Sequence, residues 1–207
     1  MFETFEKTFR RDATLSCPKS KVPFGQIDDP RLKELFLRFG GASFNRGLYR
    51  VMTADIVEAA HALIAHAFPE CASQAKAFGY DWGGRIFALE LDRLEEGLPA
   101  IMLFEPGTGE ALEIPANLVT FHENELINNS EAALGVSFHK QWLATGGAAP
   151  KYDQCIGYQR PLFLGGEDVV ENLELSDLDV YWTLSGQMIQ QTRGLPPGTR
   201  VRFSLND

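Results

Sequence analysis

Three apolar runs separated by short turn signals, all within residues 85–115, leave few architectures open to this chain. Arg85-Ile86-Phe87-Ala88-Leu89-Glu90-Leu91 is the first, Pro99-Ala100-Ile101-Met102-Leu103-Phe104 the second, and Ala111-Leu112-Glu113-Ile114-Pro115 the third. Pro106-Gly107-Thr108-Gly109 is a turn signal between the last two. Strands this close in sequence pair antiparallel, because a parallel return needs a crossover of about a dozen residues. The region therefore predicts an antiparallel meander.

Helical patterns flank it. The chain opens on a mixed segment, and Pro18, Pro23, Gly25 and Pro30 predict an extended or looped stretch over 17–30. Leu32, Leu35, Phe36 and Phe39 then share one face at helical spacing, and Gly40-Gly41 ends that helix. Residues 47–52 read as a short strand. Thr53 is the expected N-cap of a second helix, whose apolar stripe is Ile56, Val57, Ala60, Leu63, Ile64 and Ala67. Beyond the meander, Asn117 is expected to cap a helix to about Ile127, and Ser130 to start another carrying Phe138 and Trp142. Ile156 to Gly166 reads as extended, Val180 to Gln191 as helix ended by Gly194, Pro196, Pro197 and Gly198, and Arg200 to Leu205 as a terminal edge strand. Clustered strands with helices before and after give an α+β class: an antiparallel meander with flanking helices, preceded by a small helix-strand-helix unit. The expected division is residues 1–70 and 77–207.

Charge is unevenly spread. Residues 1–50 carry ten Lys/Arg and six Asp/Glu, a net of +4, whereas 51–207 carry nine and 22, a net of −13. Leu94 to His139 and Pro161 to Thr192 hold no Lys or Arg. Such a field repels nucleic acid and attracts a basic partner. No apolar run is long enough for a bilayer, and the acidic N-terminus does not read as a signal peptide, so no membrane partner and a cytoplasmic location are expected. Cys17, Cys71 and Cys155 are an odd, scattered set, which predicts neither a disulfide framework nor a cysteine zinc site.

Catalytic patterns are incomplete. His61 and His66 are five apart, ~140° around a helix, and do not match metal pairs four apart. His122 and His139 have no ligand neighbours in sequence. Gly107-Thr108-Gly109-Glu110 lacks the lysine of a phosphate loop, and no serine sits in a nucleophile elbow. Asp81, Asp92, Glu105, Glu110 and Asp168 would form an acid/base site only if the fold brought them together. No catalytic residue, metal or cofactor is assigned, and the chain is not read as an enzyme. The aromatic and glycine clusters around Trp82 and Trp182 read as core packing ahead of a recognition surface.

Taken in order, those clusters resemble a family signature. Tyr80-Asp81-Trp82-x-Gly84-Arg85-x-Phe87-Ala88, Glu105-Pro106-Gly107-Thr108-Gly109-Glu110, Gly157-Tyr158 through Pro161-Leu162-Phe163-Leu164-Gly165-Gly166, Asn172-Leu173-Glu174 and Asp179-Val180-Tyr181-Trp182 are similar to the immunity proteins of type VI secretion DNase effectors, over about residues 77–192. Residues 1–70 are similar to the GAD-like domain often found ahead of it. The resemblance implies a protein that binds and neutralises a cognate nuclease toxin in the cytoplasm, with no catalytic residues to transfer. The candidate partner-binding residues are Glu167, Asp168, Glu171, Glu174, Asp177 and Asp179, in the stretch without Lys or Arg; the competing reading makes part of that stretch a turn or a helix cap. Two other functions compete: a cytoplasmic scaffold or regulatory module that binds another protein, and a hydrolase using clustered carboxylates.

Overall fold

The computed structural model describes residues 1–16, 27–196, 199 and 201–203. The meander is there, and it is larger than the three strands read from 85–115. Six strands lie in sequence order in one antiparallel sheet: β1 (Ser43–Phe44), β2 (Tyr49–Val51), β3 (Ala75–Asp81), β4 (Ile86–Glu95), β5 (Leu98–Glu105) and β6 (Glu110–Asn117). Helices α1 (Glu3–Thr8), α2 (Pro30–Phe39) and α3 (Ala54–Ala67) come from the first third of the chain. After β6 follow α4 (Leu118–Thr120), a π-helical turn Phe121–Glu125, α5 (Leu126–Asn128), α6 (Ser130–Leu134) and α7 (Val136–Ala144). A separate hairpin of β7 (Gln154–Tyr158) and β8 (Leu173–Asp177) leads into α8 (Leu178–Thr192). The class is α+β.

Local chemistry explains most boundaries. Asp29 accepts from the backbone N–H groups of Arg31 and Leu32 at 2.8 and 3.3 Å, and Pro30 takes the first helical position, where no N–H is needed. Asn117 and Thr120 form a reciprocal capping box at the start of α4. Thr53 stands at the N-cap of α3, but its side chain makes no cap bond and its hydroxyl is buried without a partner. The helix expected from Ser130 is broken, because Gly135 at φ 59° turns the chain between α6 and α7. The helix from Asn117 likewise changes to π geometry over Phe121–Glu125.

Elements α1, β1, β3 and β8 escape the sequence patterns. α1 lies in the segment that reads as mixed. β3 is buried at every position except Lys76, so it has no alternation to detect. Gly79 lies within β3, where a Cβ would come within 2.6 Å of the Tyr49 hydroxyl and 2.9 Å of the Arg50 carbonyl. Through β3 the sheet crosses the 70–77 boundary, with Tyr49 opposite Asp81 and Val51 opposite Gly79. Residues 201–203 are not in a strand; Arg200, Ser204 and Leu205, like Cys17, Pro18, Pro23, Gly25, Pro197 and Gly198, lie outside the described residues.

One side of the sheet packs on an aromatic cluster. Phe2, Phe5, Tyr49, Phe78 and Phe121 surround a fully buried imidazole, His122, and Phe39, Phe44 and Phe87 pack against those rings. Its Nδ1 is 2.8 Å from the Leu118 carbonyl, which can only accept, so Nδ1 carries the proton and Nε2 accepts from the Tyr49 hydroxyl at 2.9 Å. That arrangement fits a neutral ring, and burial holds the His122 pKa down to about 4. Burial likewise holds His139 down to about 4.

Stability should therefore fall in mild acid. Both folded-state values lie below the ordinary 6.5, so between pH 6.5 and about 4 the unfolded chain binds protons that the folded chain refuses. Denaturant-derived unfolding free energy should decrease through that window with a slope of up to about two protons, and these two rings should add no further slope below it. Imidazole NMR titrations showing either ring protonating near pH 6.5 in the folded protein would contradict this.

Candidate functional site

Residues 81–85 form the turn between β3 and β4, and the site is built around it. The Asp81 carboxylate is fully buried. It accepts from the backbone N–H of Gly83 and of Arg85, each at 3.0 Å, and from Arg85 Nε at 2.6 Å. Burial pushes the Asp81 carboxyl up, against the pull of Arg85; the Asp81 and Glu105 carboxylates in turn favour the charged guanidinium. From this turn, bonds run outward to several elements. Arg85 Nη2 donates to the Ala133 carbonyl at 3.1 Å and Trp82 Nε1 to the Leu134 carbonyl at 2.7 Å, both in α6. Trp182 Nε1, from α8, donates to the Gly84 carbonyl at 2.7 Å, and the Ile156 N–H, from β7, to the Trp82 carbonyl at 2.8 Å. Trp82 and Trp182 are 4% and 1% exposed, so the core reading holds for both.

A cleft of about 270 Å³ opens beside the turn, lined in part by Trp82, Arg85, Glu105, Gly107, Glu131, Tyr158, Asp168 and Tyr181. The Tyr158 hydroxyl donates to Asp168 at 2.6 Å, and burial followed by this carboxylate pushes the Tyr158 phenol well up. Glu105 is half-buried; burial, Asp81 and Glu110 raise its pKa while Arg85 lowers it. Glu131 accepts from the Ser137 N–H and hydroxyl, the latter at 2.8 Å. With one guanidinium facing several carboxylates, the cleft favours positive groups over negative ones.

The five carboxylates considered for acid/base chemistry do not form one constellation. Asp81, Glu105 and Asp168 gather at Arg85 and Tyr158, and Glu110 pairs opposite Glu105 across β5 and β6. Asp92 lies apart, in a small cavity with Glu70, Cys71 and Glu90. The histidines serve structure or solvent: His61 Nε2 accepts from the Ala77 N–H at 3.0 Å, and His66 is exposed. Cys71 and Cys155 are free.

The six acidic residues proposed for partner contact are all exposed, and among the described residues none forms an ion pair. They line the segment from the loop after β7 to the first turn of α8. The competing structural reading applies to some of them: Asp168 holds Tyr158, and Asp179 accepts from the adjacent Val180 N–H at 2.8 Å. Asp177 occupies the N-cap of α8, but its side chain makes no cap bond. Asp153, exposed beside Asp177 and Asp179, has no motif around it and escapes the sequence patterns.

Two comparisons bear on this arrangement. The fold is shared with a crystal structure of Atu4351 from Agrobacterium tumefaciens, at 16% identity and TM-score 0.54, covering 90% of this chain and 89% of that one. No curated protein matches the sequence. The class is thus an α+β protein whose signature turn anchors an acidic C-terminal segment. Residues 119–189 match the model of the family described as T6SS immunity protein Tdi1, C-terminal, so this segment is similar to a type VI secretion immunity domain. The matched segment runs from α4 through most of α8, and the 81–85 turn lies outside it and is bonded to it. Among the described residues no helix is long and apolar enough to cross a membrane.

Removing one partner of the buried pair should be far worse than removing both. Asp81→Asn leaves Arg85 uncompensated, and a loss of about 3–5 kcal/mol is expected; Asp81→Asn with Arg85→Met should lose markedly less. Urea midpoints of the two variants decide it, and equal losses would show that the charges are not coupled.

Proposed function

We propose that this protein binds and neutralises a cognate type VI nuclease toxin in the cytoplasm of the cell that makes both, by covering the toxin's basic DNA-binding surface. The single observation that carries this reading is the exposed, unpaired run of acids from Glu167 to Asp179 within a segment matching an immunity family. A nuclease needs positive charge to approach phosphates. An acidic surface associates quickly with such a protein and competes with nucleic acid for it. The same field disfavours nucleic acid as a direct partner of this chain. Its structural counterpart is simple: Pro161 to Thr192 contains six acids and no Lys or Arg, and the acids point to solvent rather than to neighbouring cations.

The test is charge reversal at positions whose side chains hold nothing else in place. Glu167→Lys, Glu171→Lys and Glu174→Lys leave the Tyr158–Asp168 bond intact. Against the toxin encoded beside this chain, the triple variant should associate about tenfold more slowly at low salt, with a weaker salt dependence. Survival of toxin-expressing cells should fall with it. A variant that binds and protects like the parent removes this segment from the interface, and a parent that never binds the toxin removes the immunity reading.

A further inference from the structure

Steering charge sets how fast two proteins meet, but long residence needs apolar burial at the centre of the contact. The structure has a place for it. Helices α3 and α8 lie side by side and close tightly at one end. There a Cβ on Gly186 would lie only 3.0 Å from His66 Cδ2, Gln190 Nε2 donates to the His66 carbonyl at 2.7 Å, and Arg193 donates to the Ala67 carbonyl at 2.8 Å. At their N-terminal ends the same helices border a groove of about 430 Å³. Its floor is apolar: Ile56, Ala60 and Leu63 from α3, Leu178 from α8, and Ile86 from the sheet.

The rim of this groove is acidic. Asp153, Asp177 and Asp179 line it, all three are exposed, and among the described residues none is in an ion pair. The Leu178 N–H donates to the Asp153 carbonyl at 2.9 Å, which ties the β7 side of the rim to the start of α8. Two helix N-termini also face this region, each worth roughly half a positive charge. Three carboxylates exceed that, so the rim stays negative.

We propose that this groove seats a basic, amphipathic segment of the toxin, with an apolar side chain on the floor and flanking Lys or Arg side chains on Asp153, Asp177 and Asp179. The identity of the occupant rests on the immunity reading; the chemistry of the groove does not. An anionic segment is disfavoured by the rim, and a wholly polar one gains nothing from the floor. Division of labour follows: the acids from Glu167 to Glu174 attract, and the groove retains.

Two measurements on the full chain test this. Ala59 is exposed on α3 at the edge of the groove, and arginine is a good helix former, so Ala59→Arg places bulk and positive charge at the groove without removing core packing. Dissociation of the toxin should become about tenfold faster or more, with the melting temperature unchanged. Unchanged dissociation overturns the proposal while leaving the immunity reading standing. The second measurement needs no toxin and no variant. Acetyl-Lys-Leu-Leu-Lys-amide, titrated into the labelled wild-type chain, should shift the amide signals of Ala60, Leu63 and Leu178, and acetyl-Glu-Leu-Leu-Glu-amide should not. Equal responses to both peptides, or none at these residues, count against the groove. If the toxin fails to bind the wild type, the immunity reading is lost, and the peptide titration alone decides for or against the groove's preference.

Discussion

The carboxylate of Asp81 is the point at which the sheet and the C-terminal segment are joined. Buried and ionised groups are expensive unless they are fully bonded, and this one is met by two backbone N–H groups and by Arg85. Meeting those bonds forces residues 81–85 into one shape. That shape aims Trp82 and Arg85 at the end of α6 and presents the Gly84 carbonyl to Trp182. Arg50, also fully buried, adds a second cation over the Tyr80 ring and donates to the Asp81 and Pro150 carbonyls. A loop closing onto a sheet would otherwise have several backbone carbonyls to satisfy without water, and here side-chain N–H groups from the turn and from α8 satisfy them.

The glycine, aromatic and asparagine motifs are mostly architecture. Gly157 lies against the Tyr181 ring, where a Cβ would come within 2.4 Å. Gly107 packs beside Tyr158, and its carbonyl accepts from the Leu162 N–H at 2.8 Å. Asn172 bridges the Arg160 and Glu167 backbones, each at 2.9 Å. Residues engaged in this way are poorly placed to touch a partner as well. On the proposed reading, partner choice belongs to the exposed acids and the groove around this frame, which can change without disturbing it.

What could be read from the sequence follows the same division. β4, β5 and β6 were legible because their apolar runs are bounded by turn residues, and α2 because Asp29-Pro30 and its apolar face agree. β3 was not, since a strand buried on both faces and carrying Gly79 has neither alternation nor strong propensity. Gly135 looks like an ordinary residue within a helical pattern until its positive φ is seen. The burial of both tryptophans was legible from their place beside packed elements, whereas the bonds that Trp82, Arg85 and Trp182 make span 48 to 98 residues and leave no local trace. Asp153 joins Asp177 and Asp179 only through the β7–β8 pairing, so the groove's rim is a product of topology.

That topology also settles how the uneven charge is presented. Part of the positive charge in residues 1–50 is directed inward or matched nearby: Arg31 pairs with Asp29, Arg38 with Glu6 and Glu34, and Arg50 is buried, whereas Lys7, Arg10, Lys33 and Arg46 are exposed. Arg11 donates to the Arg38 carbonyl beside the Phe39 and Phe44 rings. Glu123, from the π-helical turn, accepts from the Thr4 and Phe5 N–H groups at the start of α1, so one acid of the larger region is also engaged in holding the smaller one. The acids of the Pro161 to Thr192 stretch have no such matching. The uneven charge along the sequence thus becomes, in the folded molecule, a basic part that is partly matched from within and an acidic stretch without matching cations. Surface pairs of this kind contribute little to stability. Their consequence is for recognition, because the unmatched face is the one whose field extends into solvent.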